Sequence, residues 1–375
     1  MGSWGRLVAI LPFIYSVSTY GADCPLPLQK LKSQYLKDET LCQVFNRYEN
    51  ALKKLESQGL TPAERVGNLL APRFINLPDW LAKRTNGIRA PWEIYSPAPL
   101  TWIQWERGAA FVDGEVIMTR RSGQFNMLSL KWLKAAHETT MKVLIDATGL
   151  VRTFDEIGMS LNRQWGLTPM QAKGIRSVIA EMKAEKYPLS IRYTVTQCLE
   201  ERSAEFQERF RKLGSFLRSE WPAQDNDHYF EYPDGEVRQC GYIDYPEPSL
   251  VGPQLNLWVD EINRVLRAWN AGDFKIENDP IAVAARAQRW FILIHPFVRG
   301  NGRMSRFVME WILRGVGLPA PILDDMNNDL YSTEEQWKTK VGEGILRAVS
   351  EAEACAKTPA AIGCTPVEEI IYDEN

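Results

Sequence analysis

Ile292-Leu-Ile-His-Pro-Phe-Val-Arg-Gly-Asn-Gly-Arg-Met-Ser-Arg306 sets a histidine just ahead of a glycine-bearing turn, and the turn opens a helix. The helix is legible from its spacing. Met304, Phe307, Val308, Trp311 and Ile312 recur at the intervals of a buried stripe, and Gly315 is the expected stop. Arg303, Arg306, Glu310 and Arg314 form the opposite stripe. Two cations therefore stand near the helix start, where the macrodipole disfavours them by about 0.3 to 1 kcal/mol each, a cost that a bound anion would offset. Gly300 and Gly302 allow the first amides to converge on one concavity, as at phosphate-cradling helix starts. His295 stands beside that concavity as a candidate base, and Asn301 is placed to orient phosphate and loop together.

Upstream, Asp279-Pro280 is a helix start, with Asp279 as cap and Pro280 at the first helical position. The helix from Ile281 to Ile294 delivers His295 at its end. Its alanines at 282, 284, 285 and 287 favour close packing, which a catalytic loop requires for rigid support. Pro296 and Phe297 are expected to fix the loop against the core.

The stretch from His295 to Arg306 resembles the signature of the Fic (filamentation induced by cAMP) family, His-Pro-Phe-x-(Asp/Glu)-Gly-Asn-Gly-Arg-x-x-Arg. Every fixed position agrees except the acidic one, which is Arg299. The resemblance implies a mainly α fold: a Fic-type helical bundle with a small β-hairpin flap and a helical N-terminal extension. It also implies transfer of AMP from ATP, or of a related phosphate-bearing group from another nucleotide, to a hydroxyl of a target protein. In such a reaction His295 is the base, and Arg299, Gly300, Asn301, Gly302, Arg303 and Arg306 hold the phosphates. In the family the acidic position holds Mg²⁺ against the diphosphate, and a guanidinium cannot ligate a cation. Three readings stay open: Arg299 itself neutralises the diphosphate, the metal is held differently, or the domain binds nucleotide with weakened catalysis. No residue is assigned as a metal ligand.

The resemblance also directs attention to Pro233 through Ile243, where Fic proteins carry a flap that holds an extended target segment by strand addition. Gly235, Val237, Arg238 and Tyr242 resemble that flap, and an ordinary surface hairpin is the competing reading. Thr339-Lys-Val-Gly-Glu-Gly344 fits the family's inhibitory-helix pattern, in which Glu343 would pair with Arg306. An ordinary helical turn fits it too.

The chain has 375 residues and 45% hydrophobic content, enough for one large domain or two modest ones. A net charge of -3 supplies no general basic field, so nucleic acid is not an expected partner and any phosphate work falls to local arginines. Residues 1–22 read as a secretory signal: Arg6, an apolar run from Leu7 to Val17, then small residues. An uncleaved anchor is the rival, although the run is short and Pro12 interrupts it. An exported protein without stable membrane association is the expectation. Six cysteines follow that segment. Proximity pairs Cys24 with Cys42 and Cys355 with Cys364, leaving Cys198 with Cys240. Other connectivities, and buried thiols, remain open.

The rest of the chain divides into a helical extension at 23–125, a Fic domain at 126–350 interrupted by an insertion at about 145–230, and a tail at 351–375. Within the extension, Leu41, Val44, Phe45, Tyr48, Leu52 and Leu55 mark a helix, and Asp113-Gly114 between apolar runs signals a hairpin over Ala110 to Met118. Leu130, Leu133, His137 and Met141 share one helical stripe and open the domain, which makes His137 a core residue. Helices from Pro169 to Lys183 and from Glu200 to Leu217, with a short strand over Ile191 to Val195, fill the insertion.

Overall fold

The structure, a computed structural model, describes residues 24–57, 98–141, 151, 157–161, 169–184, 192–197 and 239–358, except 274, 276–277, 299 and 324–328. Its elements in chain order are α1 (Leu26–Lys30), α2 (Leu41–Ser57), α3 (Ala98–Ser122), α4 (Leu130–Met141), β1 (Ile157–Leu161), α5 (Pro169–Ala184), β2 (Arg192–Gln197), β3 (Gln239–Asp244), α6 (Pro248–Asn270), α7 (Pro280–Ile294), α8 (Asn301–Val316) and α9 (Glu334–Lys357). The fold is mainly helical, as expected. Among the described residues no helix is long and apolar enough to cross a membrane. The proposed signal segment, the helix from Glu200 and the far half of the tail lie outside the described residues.

Helices α7 and α8 form the centre. Asp279 caps α7 by accepting the amides of Ile281 (2.8 Å) and Ala282 (3.4 Å), with Pro280 at the first position. Ala284, Ala285 and Ala287 are fully buried and bring neighbouring helices close, and Trp258 of α6 reaches across to donate to the Ala287 carbonyl at 3.0 Å. Helix α8 runs past Gly315 and stops at Gly317, whose φ of 106° is a left-handed cap. The expected polar stripe of α8 does not face solvent. Arg306 and Glu310 are buried with the apolar residues, because α3 covers the side that the sequence alone would assign to water.

That cover is the main departure from the sequence expectation. The hairpin over Ala110 to Met118 does not exist; these residues lie inside α3. Val112, Val116 and Thr119 form its buried face. Asp113, the supposed turn residue, meets Arg314 of α8 at 2.5 Å, while Glu310 meets the same guanidinium at 2.7 Å. Two carboxylates share one partly buried cation. Burial pulls the Arg314 pKa down, but Asp113 and Glu310 more than offset it and hold it above its ordinary value. Burial raises Glu310, Arg314 pulls it back and Asp113 pushes it up, for a net rise. A carboxyl whose folded-state pKa is raised carries a penalty while ionised, and the penalty disappears as pH falls toward the unfolded value. Glu310→Gln is therefore expected to melt above the wild type at pH 7.5, by about 1 kcal/mol, with the gap closing toward pH 5. A variant equally destabilised at both pH values in thermal melts would reverse that reading.

Asparagines pin the connection between α3 and α4 to α6. Asn270 exchanges hydrogen bonds with the backbone of Phe125 (2.8 and 2.9 Å), and Asn263 does the same with Leu128 (2.7 and 2.8 Å). The N-terminal extension is equally tied in. Cys24 is disulfide-bonded to Cys42, the first of the expected pairs, and closure of such a loop is worth roughly 3 kcal/mol. Cys355 is also disulfide-bonded, while Cys364 and Cys198 lie outside the described residues. Arg47 of α2 bridges Glu39 and Glu353 of α9 at 2.7 and 2.8 Å.

Helix α5 docks on α7 through Glu181, which pairs at 3.0 Å with the fully buried Arg289 and also accepts the Glu334 amide at 2.6 Å. Removing one member of such a buried pair costs about 3 to 5 kcal/mol, so this helix is anchored rather than appended. The three strands make one antiparallel sheet in the order β1-β3-β2.

Candidate active site

Everything chemical converges on the corner between α7 and α8. His295 caps α7 in a left-handed conformation (φ 50°, ψ 57°), with its amide donating to the Phe291 carbonyl at 3.0 Å. That conformation costs a non-glycine residue about 1 to 2 kcal/mol, and strain of this kind persists only where the surroundings impose it. The imposing residues are identifiable. Phe297 is buried, stacked on His137 with ring centroids 4.1 Å apart, and its backbone bridges to Val151. The Asn301 side chain accepts from the Phe297 amide (2.9 Å) and donates to the Phe297 carbonyl (2.7 Å), closing the loop on itself. His137 is thus a core residue, as expected, and the floor of the loop as well.

The imidazole of His295 is oriented twice. Its Nδ1 lies 3.2 Å from the Ile292 carbonyl, and in the tautomer with hydrogen on Nδ1 this contact is a hydrogen bond that leaves a lone pair on Nε2. Its face stacks on Tyr245 with centroids 3.9 Å apart and planes 24° from parallel.

At the start of α8, Gly300 has φ 77° and ψ 5°, and a Cβ there would lie 2.8 Å from the Met141 sulfur. Only glycine meets both conditions. No side chain caps the helix, so its first amides are presented to whatever occupies the corner. Arg303 lies one turn in. Desolvation alone drives its guanidinium pKa down to about 10, and its Nη1 meets the Met141 sulfur at 3.7 Å. Among the described residues no carboxylate pairs with it. Arg306 is buried and donates from Nη1 to the Gly302 carbonyl at 3.1 Å, which Ser305 also bonds at 2.9 Å. Gln288, bonded to Ser305 at 3.2 Å and to Asp329 at 2.5 Å, ties this turn to α7.

The corner therefore brings together His295, Gly300, Asn301, Gly302, Arg303 and Arg306. Two sequence expectations change. Asn301 spends its side chain on the loop, leaving its backbone amide for phosphate. Among the described residues no ion pair joins Glu343 to Arg306, in keeping with the ordinary helical turn that also fits its pattern. A Cβ at Gly342 would overlap the Tyr35 carbonyl, and the Gly344 carbonyl accepts the Ile322 amide at 3.0 Å. Arg299, Gly235, Val237 and Arg238 lie outside the described residues. The Tyr242 backbone does not offer an open edge, because β3 is the central strand, and Tyr242 pairs with Thr194. Tyr245 and Met141 had no motif to announce them.

Comparison with known proteins gives the family of the segment that carries this corner. The Fic/DOC family model matches residues 127–313. These residues form a Fic/DOC domain. A Fido domain-containing protein of Dictyostelium discoideum is 42% identical over 55 residues, spanning 15% of this chain and 38% of that protein. The protein adenylyltransferase and cysteine protease IbpA of Histophilus somni is 30% identical over 112 residues, 30% of this chain and 2% of IbpA. The chain thus matches only a minor part of each relative. Among solved structures, a Fic domain containing signaling protein of Bacteroides thetaiotaomicron aligns with 84% of this chain and 97% of its own at 10% identity and a TM-score of 0.43. Fic-1 of C. elegans aligns with 83% of this chain and 68% of its own at 14% identity and a TM-score of 0.38.

The Fic loop of this chain does not fit a divalent metal. Between His295 and Arg306 it contains no carboxylate, and the amide oxygen of Asn301 is already committed to Phe297.

Proposed function

We propose that the Fic domain transfers a nucleotidyl group, AMP foremost, from ATP or another nucleotide to a serine, threonine or tyrosine hydroxyl of a target protein. The observation that carries the reading is Arg303: a desolvated cation beside an uncapped helix start, a turn away from a strained and oriented histidine. A partly buried, desolvated cation without a carboxylate carries a cost that a bound anion would offset. The adenylyltransferase IbpA, similar over 112 residues, supports the nucleotidyl choice.

In the proposed step, Nε2 of His295 accepts the target hydroxyl proton as its oxygen bonds to the α-phosphorus. The bond to the bridging oxygen breaks and pyrophosphate departs. Arg303, Arg306 and the amides of Gly300, Asn301 and Gly302 stabilise charge on the phosphate oxygens, where positioning and electrostatics supply most of the acceleration. No step passes through a metal, and Arg299 is assigned to the diphosphate in its place. With residues 1–22 read as an export signal, the protein meets its donor after delivery into a nucleotide-containing compartment, as an effector does.

Incubation with separate nucleotides followed by intact-mass analysis of enzyme and target identifies the donor from the added mass. Absence of any adduct with every nucleotide would reject transfer and leave nucleotide sensing, a reading that Arg299 in the acidic position favours. The same assay tests Arg299. Transfer is expected to persist after chelation, and Arg299→Glu to render it metal-dependent; complete loss on chelation of the wild type would return the metal to the mechanism.

A further inference from the structure

We infer that Tyr245 is a positioning residue for His295, holding the imidazole plane from the side of the three-stranded sheet. This rests on His295 as the base. The Nδ1 contact with Ile292 restrains rotation of the ring but leaves it one soft coordinate, tilt out of its own plane. The Tyr245 ring closes that coordinate. Its centroid is 3.9 Å from that of the imidazole, with 24° between the planes, a stacked pair.

The placement follows from the chain path. Tyr245 is the residue after β3, whose neighbours β1 and β2 hold it on both edges, and Pro246-Glu247-Pro248 then leads into α6. Pro246 is buried and Pro248 occupies the first position of the helix, so the segment carrying Tyr245 is stiff at both ends. A strand that is central rather than at the edge is a firm mount for a side chain that must not tilt. The three-stranded sheet thereby acquires a part in the chemistry: it sets the plane of the base.

The discriminating experiment compares Tyr245→Phe, which keeps the ring, with Tyr245→Leu, which removes it. By proton NMR of the three histidines, with His295 assigned through His295→Gln, the ring-current shielding of the His295 Hδ2 and Hε1 signals should persist in Tyr245→Phe and vanish in Tyr245→Leu. With labelled ATP and target, kcat of Tyr245→Leu should fall on the order of tenfold to a hundredfold, with KM for ATP little changed, and Tyr245→Phe should restore most of it, because misplacing a reacting group by about 1 Å costs that much. Unaltered His295 signals in Tyr245→Leu would overturn the stack, and unaltered kcat would overturn the positioning role. The NMR result stands whatever the donor, so failure of nucleotidyl transfer and failure of this inference remain distinguishable.

Discussion

His295→Ala should lose about 10²- to 10⁴-fold in label transfer while binding donor as well as the wild type, the range expected when a positioned general base is removed. His295 is also strained, holding φ 50°, so alanine confounds backbone effects with chemistry. His295→Asn separates them. Asparagine tolerates the left-handed region, and that variant should fold with undiminished stability yet remain equally inactive. Transfer that survives in either variant would remove His295 from the mechanism.

Arg303→Met should give two effects of opposite sign. Removing a desolvated cation that no carboxylate completes stabilises the empty protein, by about 1 kcal/mol. The same change should weaken donor binding by at least about tenfold, since a charge-assisted contact to phosphate is lost. Thermal melts with and without ATP measure both. In the wild type, ATP at a hundred times its Kd should add about 2.7 kcal/mol, whereas the variant should start higher and gain no more than about 1.4 kcal/mol at the same concentration. A variant that melts lower without ATP and gains the full increment with it would mean that Arg303 is a packing residue.

Local signals carried the sequence reading as far as such signals extend. Asp279-Pro280 and the stripe from Met304 to Ile312 each declare a helix within a few residues, and both helices are there. His137 was legible as core because its neighbours at helical spacing are apolar. What failed were judgements whose deciding partner is remote. Asp113-Gly114 has the composition of a turn, and only Arg314, on a helix two hundred positions later by sequence number, makes Asp113 a helical residue. Gly342 and Gly344 weaken a helix by local propensity, yet α9 runs through both, because Tyr35 requires one to be small and the Ile322 amide uses the other's carbonyl. Tyr245 was invisible for the same reason, since stacking on His295 is a tertiary fact without a spacing.

The pairing of Arg314 with Asp113 separates two boundaries that are easily treated as one. The family match begins at residue 127, after α3 has ended at Ser122. A chain cut there would leave Arg314 with only one of its two carboxylates, strip α3 from the length of α8 and bare the face of α9 on which α2 rests. Since α8 carries the His295 corner at one end and Arg314 near the other, the unit that packs together is not the matched segment alone but that segment with residues 24–57, 98–122 and 314–357. Ancestry marks off one segment of this polypeptide; cooperative folding marks off a longer one.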